Sequence, residues 1–246
     1  MVFQRYFLQL AYKGTNYHGW QVQPNATTVQ GTLNNALSTL LKYSTEAVGA
    51  GRTDTGVHAR NYTAHFDTIK PIDYDIQTFI YKLNCILPKD IAILNMYPVN
   101  KNMHARFSAV SRSYFYVISY KKEVFSNEYC WHIKHPPDVY KLRKSSELLI
   151  DIKDFTSFSR LHTDVKTNIC SIFNVRWLAL NNRLVFYIEA DRFLRNMVRA
   201  IVGTLIEIGN DKLPVKALTT IANEKDRAKA SASAPAHGLF FNTAMY

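Results

Sequence analysis

The order in which the hydrophobic period changes along the chain is its strongest constraint on fold. Phe3 to Tyr12 alternates apolar and polar residues, the two-residue period of a half-buried strand. The period then lengthens. Val29, Leu33, Leu37, Leu40 and Leu41 recur at helical spacing behind Thr28, which has the chemistry of an N-cap. Ala47-Val48 is a short apolar run, and Tyr62, Ala64 and Phe66 alternate again. Residues 75–86 form a second amphipathic pattern, stopped by Pro88, and Ile91 to Val99 reads as a fourth strand. The order so far is β-α-β-β-α-β, the ferredoxin-like pattern. It then repeats: a strand over Ser113 to Tyr120 and a helix from Asp138 to Leu149, followed by an antiparallel pair over Ile169 to Leu180 and Leu184 to Ala190. A long helix from Phe193 to Ile208 ends at Gly209, a shorter one spans Pro214 to Ala222, and Leu239 to Ala244 is a last strand. The repetition is of element order, not of residues. The expected fold class is α+β, with two ferredoxin-like halves, antiparallel in their sheets, at 1–105 and 106–246. Halves of this kind can flank a central cleft.

Composition narrows the class of partner. At 246 residues and 47% hydrophobic, the chain can bury one large core or two smaller ones. Its formal charge is +11, which points to a polyanionic partner; the other reading is simply a soluble basic surface. Lys and Arg are dispersed rather than blocked, which argues for a folded basic surface and against a disordered basic tail. No run of eighteen apolar residues exists, so no membrane span is expected, and residues 1–6 read as strand rather than signal peptide. Cys85, Cys130 and Cys170 stand far apart, without CxxC spacing, and fit reduced core thiols in a cytoplasm better than disulfides or a zinc site. The eight histidines show no paired metal-ligand spacing. Neither a metal nor a cofactor is expected.

One decapeptide concentrates the chemistry: Ala50-Gly51-Arg52-Thr53-Asp54-Thr55-Gly56-Val57-His58-Ala59. Gly51 and Gly56 are expected to let the backbone take conformations a Cβ would forbid, so that a tight loop presents Asp54. In an extended stretch Arg52 shares a face with Asp54, where a cation favours the ionised carboxylate that a nucleophile or general base requires. The same residues also suit an Asx-turn or a helix cap. The pattern is neither a Walker A loop nor a dinucleotide fingerprint. Upstream, the Gly-rich segment Lys13 to Trp20 carries Tyr17 and Trp20, residues that either stack bases or pack as a connection.

Taken in order, these residues resemble the catalytic motif of TruA-type tRNA pseudouridine synthases, and the resemblance spans nearly the whole chain. It carries the catalytic role to Asp54; Thr55 stands where the family often has alanine. Tyr12 to Gln21 resembles the family's Y-x-G-x-x-(Y/F)-x-G-(W/F)-Q stretch. Ala105-Arg106-Phe107-Ser108-Ala109, leading to Arg112 and then Tyr114 and Tyr116, resembles A-R-F-S-A-x-x-R-x-Y-x-Y. Arginines interleaved with aromatics suit RNA, and they equally suit an ordinary strand with tyrosines on one face. The family's first tyrosine in this segment lies over the target base, which implies that role for Tyr114.

Three further segments belong to the resemblance. Phe193 to Arg199 resembles F-(L/V)-x-x-M-(V/I)-R, which implies that Arg199 partners Asp54 and leaves Arg52 to substrate. Read as helix, this stretch puts Arg195 and Arg199 on one face. Asp154-Phe155-Thr156-Ser157-Phe158 resembles D-F-x-S-F and reads as architectural; Lys166-Thr167 is the nearest match to a basic-Thr pair that often follows. Ala234-Pro235-Ala236-His237-Gly238-Leu239 resembles A-P-(A/P)-x-G-L, which implies that Leu239 packs on the bound uracil, beside its ordinary reading as core.

The resemblance implies an isomerase that converts uridine to pseudouridine at positions 38, 39 and 40 of the tRNA anticodon stem-loop. It also implies a homodimer and a basic cleft. Arg52, Arg106, Arg112 and Arg195 would hold phosphates while Tyr114 and Leu239 enclose an extruded base. Asp54 would act at ribose C1′, at C6 of the base, or on a ribose proton to give a glycal. Two rivals come from other classes. One is a non-catalytic tRNA-binding or chaperone protein of the same fold. The other is a phosphate-ester hydrolase, which would need metal-binding carboxylates that Asp67, Asp73 and Asp75 do not supply in a convincing arrangement.

Overall fold

Strand β1 (Gln4–Tyr12) lies between two antiparallel neighbours, β3 (His58–Thr68) and β4 (Ile91–Val99). The structure is a computed structural model that describes residues 3–122, 124–160 and 167–246. Contacts divide the chain into two units, residues 1–110 with 241–246, and residues 111–240. The sequence placed the division at 105/106. The units instead divide after Val110, and the end of the chain returns to the first unit. No local periodicity signals such a return. Both units are mixed α/β with multi-stranded sheets.

In the first unit α1 (Val29–Leu41) and α2 (Ile76–Ile86) each follow a side-chain cap. Thr28 accepts from the amide of Gly31 at 3.2 Å, and Asp75 from that of Thr78 at 2.9 Å. Helix α1 buries Val29, Leu33, Leu37 and Leu41 and packs on α2 and on β2 (Ala47–Gly49). Helix α2 stops at Leu87, whose extended backbone suits the residue before a proline. Strand β2 joins β3 antiparallel, with Ala47 opposite Phe66 and Gly49 opposite Ala64. The element order is thus β-α-β-β-α-β and the strands run β4-β1-β3 with β2 on β3, every pair antiparallel.

The second unit carries β5 (Ser111–Ser119), a two-residue β6 (Trp131–His132), α3 (Val139–Glu147), β7 (Ile172–Leu180) and β8 (Arg183–Ala190). Then come α4 (Met197–Gly209), α5 (Ala217–Glu224) and β9 (Leu239–Met245), which passes into the first unit at Phe241. Strand β8 pairs antiparallel with both β5 and β7, and the β7–β8 hairpin turns at Asn181, whose φ is 50°. Gly209 lets α4 come close to α3: an added Cβ would stand 3.0 Å from Leu142 Cδ2.

The expected long helix from Phe193 is corrected. Helix α4 begins at Met197, because Asn196 sits at φ 66°, a left-handed backbone that no helix passes through. Arg195 precedes the helix and Arg199 lies within it, so the two share no helical face. The segment 154–158 is architectural as read: Phe155 and Phe158 are fully buried, and the Ser157 hydroxyl donates to the carbonyl of Ile221 at 2.6 Å. Lys166 of the expected basic-Thr pair lies outside the described residues.

Candidate active site

The loop between β2 and β3 is built outward from two tyrosine hydroxyls. Tyr62, buried on β3, donates its hydroxyl to the Gly51 carbonyl and accepts from the Gly51 amide at 3.3 Å. Two residues on, Thr53 turns inward. Its hydroxyl lies 2.9 Å from that of Tyr12, and its carbonyl accepts from the Trp20 amide at 3.2 Å. With Thr53 pointing in, Arg52 is exposed and Asp54 half-buried on the other side of the stretch. The amide of Val57 donates to the Asp54 carbonyl at 3.1 Å and closes the turn.

Glycine is required at some positions of this loop and not at others. Gly56, at φ 78°, supplies the left-handed backbone the turn needs. Gly51 does not: its φ is ordinary and a Cβ there would meet nothing within 4 Å, which corrects the expectation that both glycines are conformationally forced.

The Gly-rich segment after β1 is the loop's support. A Cβ on Gly14 would stand 2.0 Å from the Val57 carbonyl oxygen, and one on Gly19 2.3 Å from that of Thr53. The Gly56 amide donates to the Tyr17 carbonyl at 3.4 Å, and the Gly14 amide to Nδ1 of buried His58 at 3.0 Å. Tyr17 and Trp20 are buried, Trp20 with 1% of its surface exposed. Of the two readings of this segment, packed connection is therefore the one the structure supports. Tyr17 donates to Asp90 at 2.6 Å, and burial followed by that bond pushes its phenol up from the usual range.

Arg106, also in the first unit, sits exposed in a turn after β4, its guanidinium over the Phe107 ring at 5.5 Å. Imidazole acceptors fix that turn. His104 Nδ1 takes the amides of Arg106 (3.1 Å) and Phe107 (3.3 Å), and His65 Nδ1 takes that of Ala105 at 3.1 Å. Burial, then the charges of Arg5 and His104, lower His65 to about 4. Arg5 grips Asp67 with two 2.7 Å bonds and holds its carboxyl below the usual range. Asp67 is thus bound to Arg5, and Asp75 caps α2. Among the described residues no group of three or more His, Cys, Asp or Glu is placed to hold a metal ion.

In the second unit the chain from Ser231 to Leu239 runs past Arg199 and Tyr116. Arg199, half-buried in the first turn of α4, donates Nε to the Ala234 carbonyl at 2.7 Å. Gly203, one turn on, makes the approach possible: a Cβ there would stand 2.0 Å from the Ala232 carbonyl oxygen. The next carbonyl, Pro235, accepts from the Tyr116 hydroxyl at 2.7 Å. A Cβ on Gly238 would stand 2.7 Å from the Tyr116 ring. Tyr114 shares a face of β5 with Tyr116. It is 8% exposed, with Phe193 edge-on at 5.0 Å. Leu239, also buried, follows Gly238 directly. Arg112 donates to the Asp191 carbonyl at 2.8 Å, whereas Arg195 is exposed.

A family model described as tRNA pseudouridine synthase matches residues 10–108 and 149–246. The chain belongs to the tRNA pseudouridine synthase family. A protein named tRNA pseudouridine synthase A from Bacteroides fragilis is 48% identical, aligned over all of this chain and 98% of its own. One of the same name from Bacteroides thetaiotaomicron is 47% identical over 99% of this chain and 91% of its own, and one from Bacillus pumilus 36% over 96% and 97%. Membership makes the protein an isomerase whose substrate is tRNA. The matched ranges include Arg52, Asp54, Arg106, Arg195, Arg199 and Leu239; Arg112 and Tyr114 fall between them.

Within each unit the structure gathers part of the predicted set. Arg52 and Asp54 share one loop of the first unit; in the second, Arg199 bonds to the 234–239 segment that leads into Leu239, and Tyr114 lies on the β5 face of Tyr116, whose hydroxyl reaches the same segment. The sequence reading missed Tyr62 as an anchor of the Asp54 loop. It also missed the small residues Ser231 to Ser233, just ahead of the Ala234 motif, that lie along α4. The available signal was that a chain with this run of small residues can approach a helix at Gly203.

Proposed function

We propose that the protein converts uridine to pseudouridine in the anticodon stem-loop of tRNA, at positions 38, 39 and 40, with Asp54 as the catalytic carboxylate. The supporting observation is that Asp54 is the half-exposed acid of a loop whose neighbours on both sides are hydrogen-bonded into the fold. The base is extruded from its stack, at a cost of roughly a few kcal/mol. Tyr114 stacks on it and Leu239 packs against it. Arg199 is the ion-pair partner of Asp54, and Arg52, Arg106, Arg112 and Arg195 bind phosphates. Asp54 opens the glycosidic bond by attack at C1′, by addition at C6, or by taking a ribose proton to leave a glycal. On each route the N1–C1′ bond breaks, the uracil turns, C5 bonds to C1′, the C5 proton leaves and N1 gains one. Atoms and electrons balance with no co-substrate.

The two units are proposed as ferredoxin-like halves, a reading supported in the first by its β4-β1-β3-β2 antiparallel arrangement. A basic cleft, a homodimer and a cytoplasmic location complete the proposal. Asp54→Asn and Asp54→Ala are expected to abolish pseudouridine formation while keeping tRNA binding. Carbodiimide primer extension on tRNA from a deletion strain complemented with each variant reads this out. Stops in the anticodon arm that persist with Asp54→Ala would refute the assignment. Binding without turnover in the unaltered enzyme would favour the non-catalytic tRNA-binding alternative.

A further inference from the structure

The two hydroxyls beneath the Asp54 loop come from different strands, β1 and β3, and hold different residues of the loop. Tyr62 holds both backbone polar groups of Gly51, three residues before Asp54, and Tyr12 meets the side chain of Thr53, immediately before it. Both rings belong to one buried aromatic cluster. Tyr12 and Tyr62 meet edge-on at 5.6 Å, Trp20 lies 4.3 Å from Tyr62, and Phe241 closes on Tyr62 at 5.0 Å. Gly49 is forced by the same cluster, since a Cβ there would stand 2.0 Å from the Tyr62 hydroxyl and 2.6 Å from the Trp20 ring. The rings are therefore held by packing, and each hydroxyl transmits that position to the loop. Neither phenol is exposed, so neither is placed to touch RNA.

We propose that Tyr12 and Tyr62 are positioning residues for the isomerisation: their hydroxyls set the height and direction of Asp54 by fixing Thr53 and Gly51. The proposal rests on the assignment of Asp54 as the catalytic carboxylate. A half-exposed loop acid without these anchors would sample many orientations, and rate depends steeply on orientation. The effect belongs to the chemical step, because the anchors lie below the loop and away from substrate.

The test compares Tyr12→Phe, Tyr62→Phe and Thr53→Val, each of which deletes polar atoms and keeps shape. Single-turnover rates with saturating enzyme are measured beside the Kd for tRNA and the thermal midpoint. Each Tyr variant is expected to slow the chemical step by roughly ten- to a hundredfold, with Kd within about twofold. Tyr12→Phe combined with Thr53→Val should be no slower than either alone, since both delete one bond. Rates within twofold of the parent in a folded variant would overturn the proposal, as would a rate loss matched by an equal loss in tRNA affinity. Asp54→Asn, assayed in parallel, separates the two ideas. If it retains activity the Asp54 assignment fails; if it is dead while the Tyr variants are unimpaired, only the positioning role fails.

Discussion

Arg199 and Ala234 are joined twice: Nε of the arginine donates to the alanine carbonyl at 2.7 Å, and the alanine amide donates to the arginine carbonyl at 2.9 Å. The pairing directs the guanidinium from the side, so its direction depends on a planar donor set rather than on charge alone. Lysine has no Nε and cannot reproduce it. Arg199→Lys is therefore expected to keep the charge and lose at least tenfold in turnover, an estimate of about 1.4 kcal/mol of transition-state stabilisation. The orphaned Ala234 carbonyl should cost stability as well, about 1–3 kcal/mol for losing a bond to a charged donor. Turnover assays and urea denaturation check the two effects separately.

A graded set of glycine substitutions follows from the support of the Asp54 loop. Gly19, at φ 86° with the Thr53 carbonyl oxygen 2.3 Å from where a Cβ would sit, has no room to adjust, since the obstructing atom is backbone. Gly19→Ala is expected to cost roughly 1–3 kcal/mol from the backbone conformation alone, with the clash in addition. Gly51→Ala meets nothing within 4 Å and needs no special backbone. It should leave stability unchanged or raise it by about 0.4–1 kcal/mol. Thermal midpoints of the two variants, measured together, decide; equal losses would contradict the geometry.

These glycines also show what the sequence made visible and what it did not. The strands around Tyr62, Ala64 and Phe66 and the helices capped by Thr28 and Asp75 were legible because burial repeats with the period of the backbone. The turn that carries Asp54 was legible because Gly56 supplies the positive φ it needs. Gly51 was misread because a glycine's permissiveness says nothing of whether it is used. The start of α4 was misread because the apolar spacing runs on through Phe193 and Leu194, and only Asn196 marks the break. Tyr62 was read as a strand residue, and nothing local says that its hydroxyl reaches Gly51 eleven positions away. Such long-range bonds are products of the fold, not of local pattern.

Acid stability should depend on His65. Its imidazole is buried among Arg5, His104, Asp67 and the 103–108 turn, and is lowered to about 4 from 6.5. The folded state thus favours the neutral form, so the contribution is fully present above pH 6.5 and is lost as pH falls through 4. Between those values the unfolded chain binds the extra proton, and stability rises with pH. The amount is about 3 kcal/mol across the window. Asp67, lowered by Arg5, acts in the same direction but only below the ordinary aspartate range. Urea midpoints taken from pH 7.5 to 4 should fall steeply for the parent protein and less steeply for His65→Gln, which keeps an acceptor for Ala105 without the buried titration. Parallel curves would rule out His65 as the source.

The arginines assigned to phosphates differ in how they are held, which gives them different expected phenotypes. Arg112 is tied to the Asp191 carbonyl at 2.8 Å, at the point where β5 and β8 pair through Ala190. Arg195 is exposed ahead of α4. Arg195→Ala should weaken tRNA binding and reduce the slope of log K against log salt by about one, with the smaller effect on thermal midpoint expected of an exposed side chain. Arg112→Ala should lower affinity too, but with a loss of stability of about 1–3 kcal/mol, because a carbonyl that had a charged donor is left without it. Filter binding at several salt concentrations, with melting curves on the same samples, distinguishes the two. If Arg195→Ala leaves the salt slope untouched, its side chain does not neutralise a phosphate, and the RNA path over the second unit must run elsewhere.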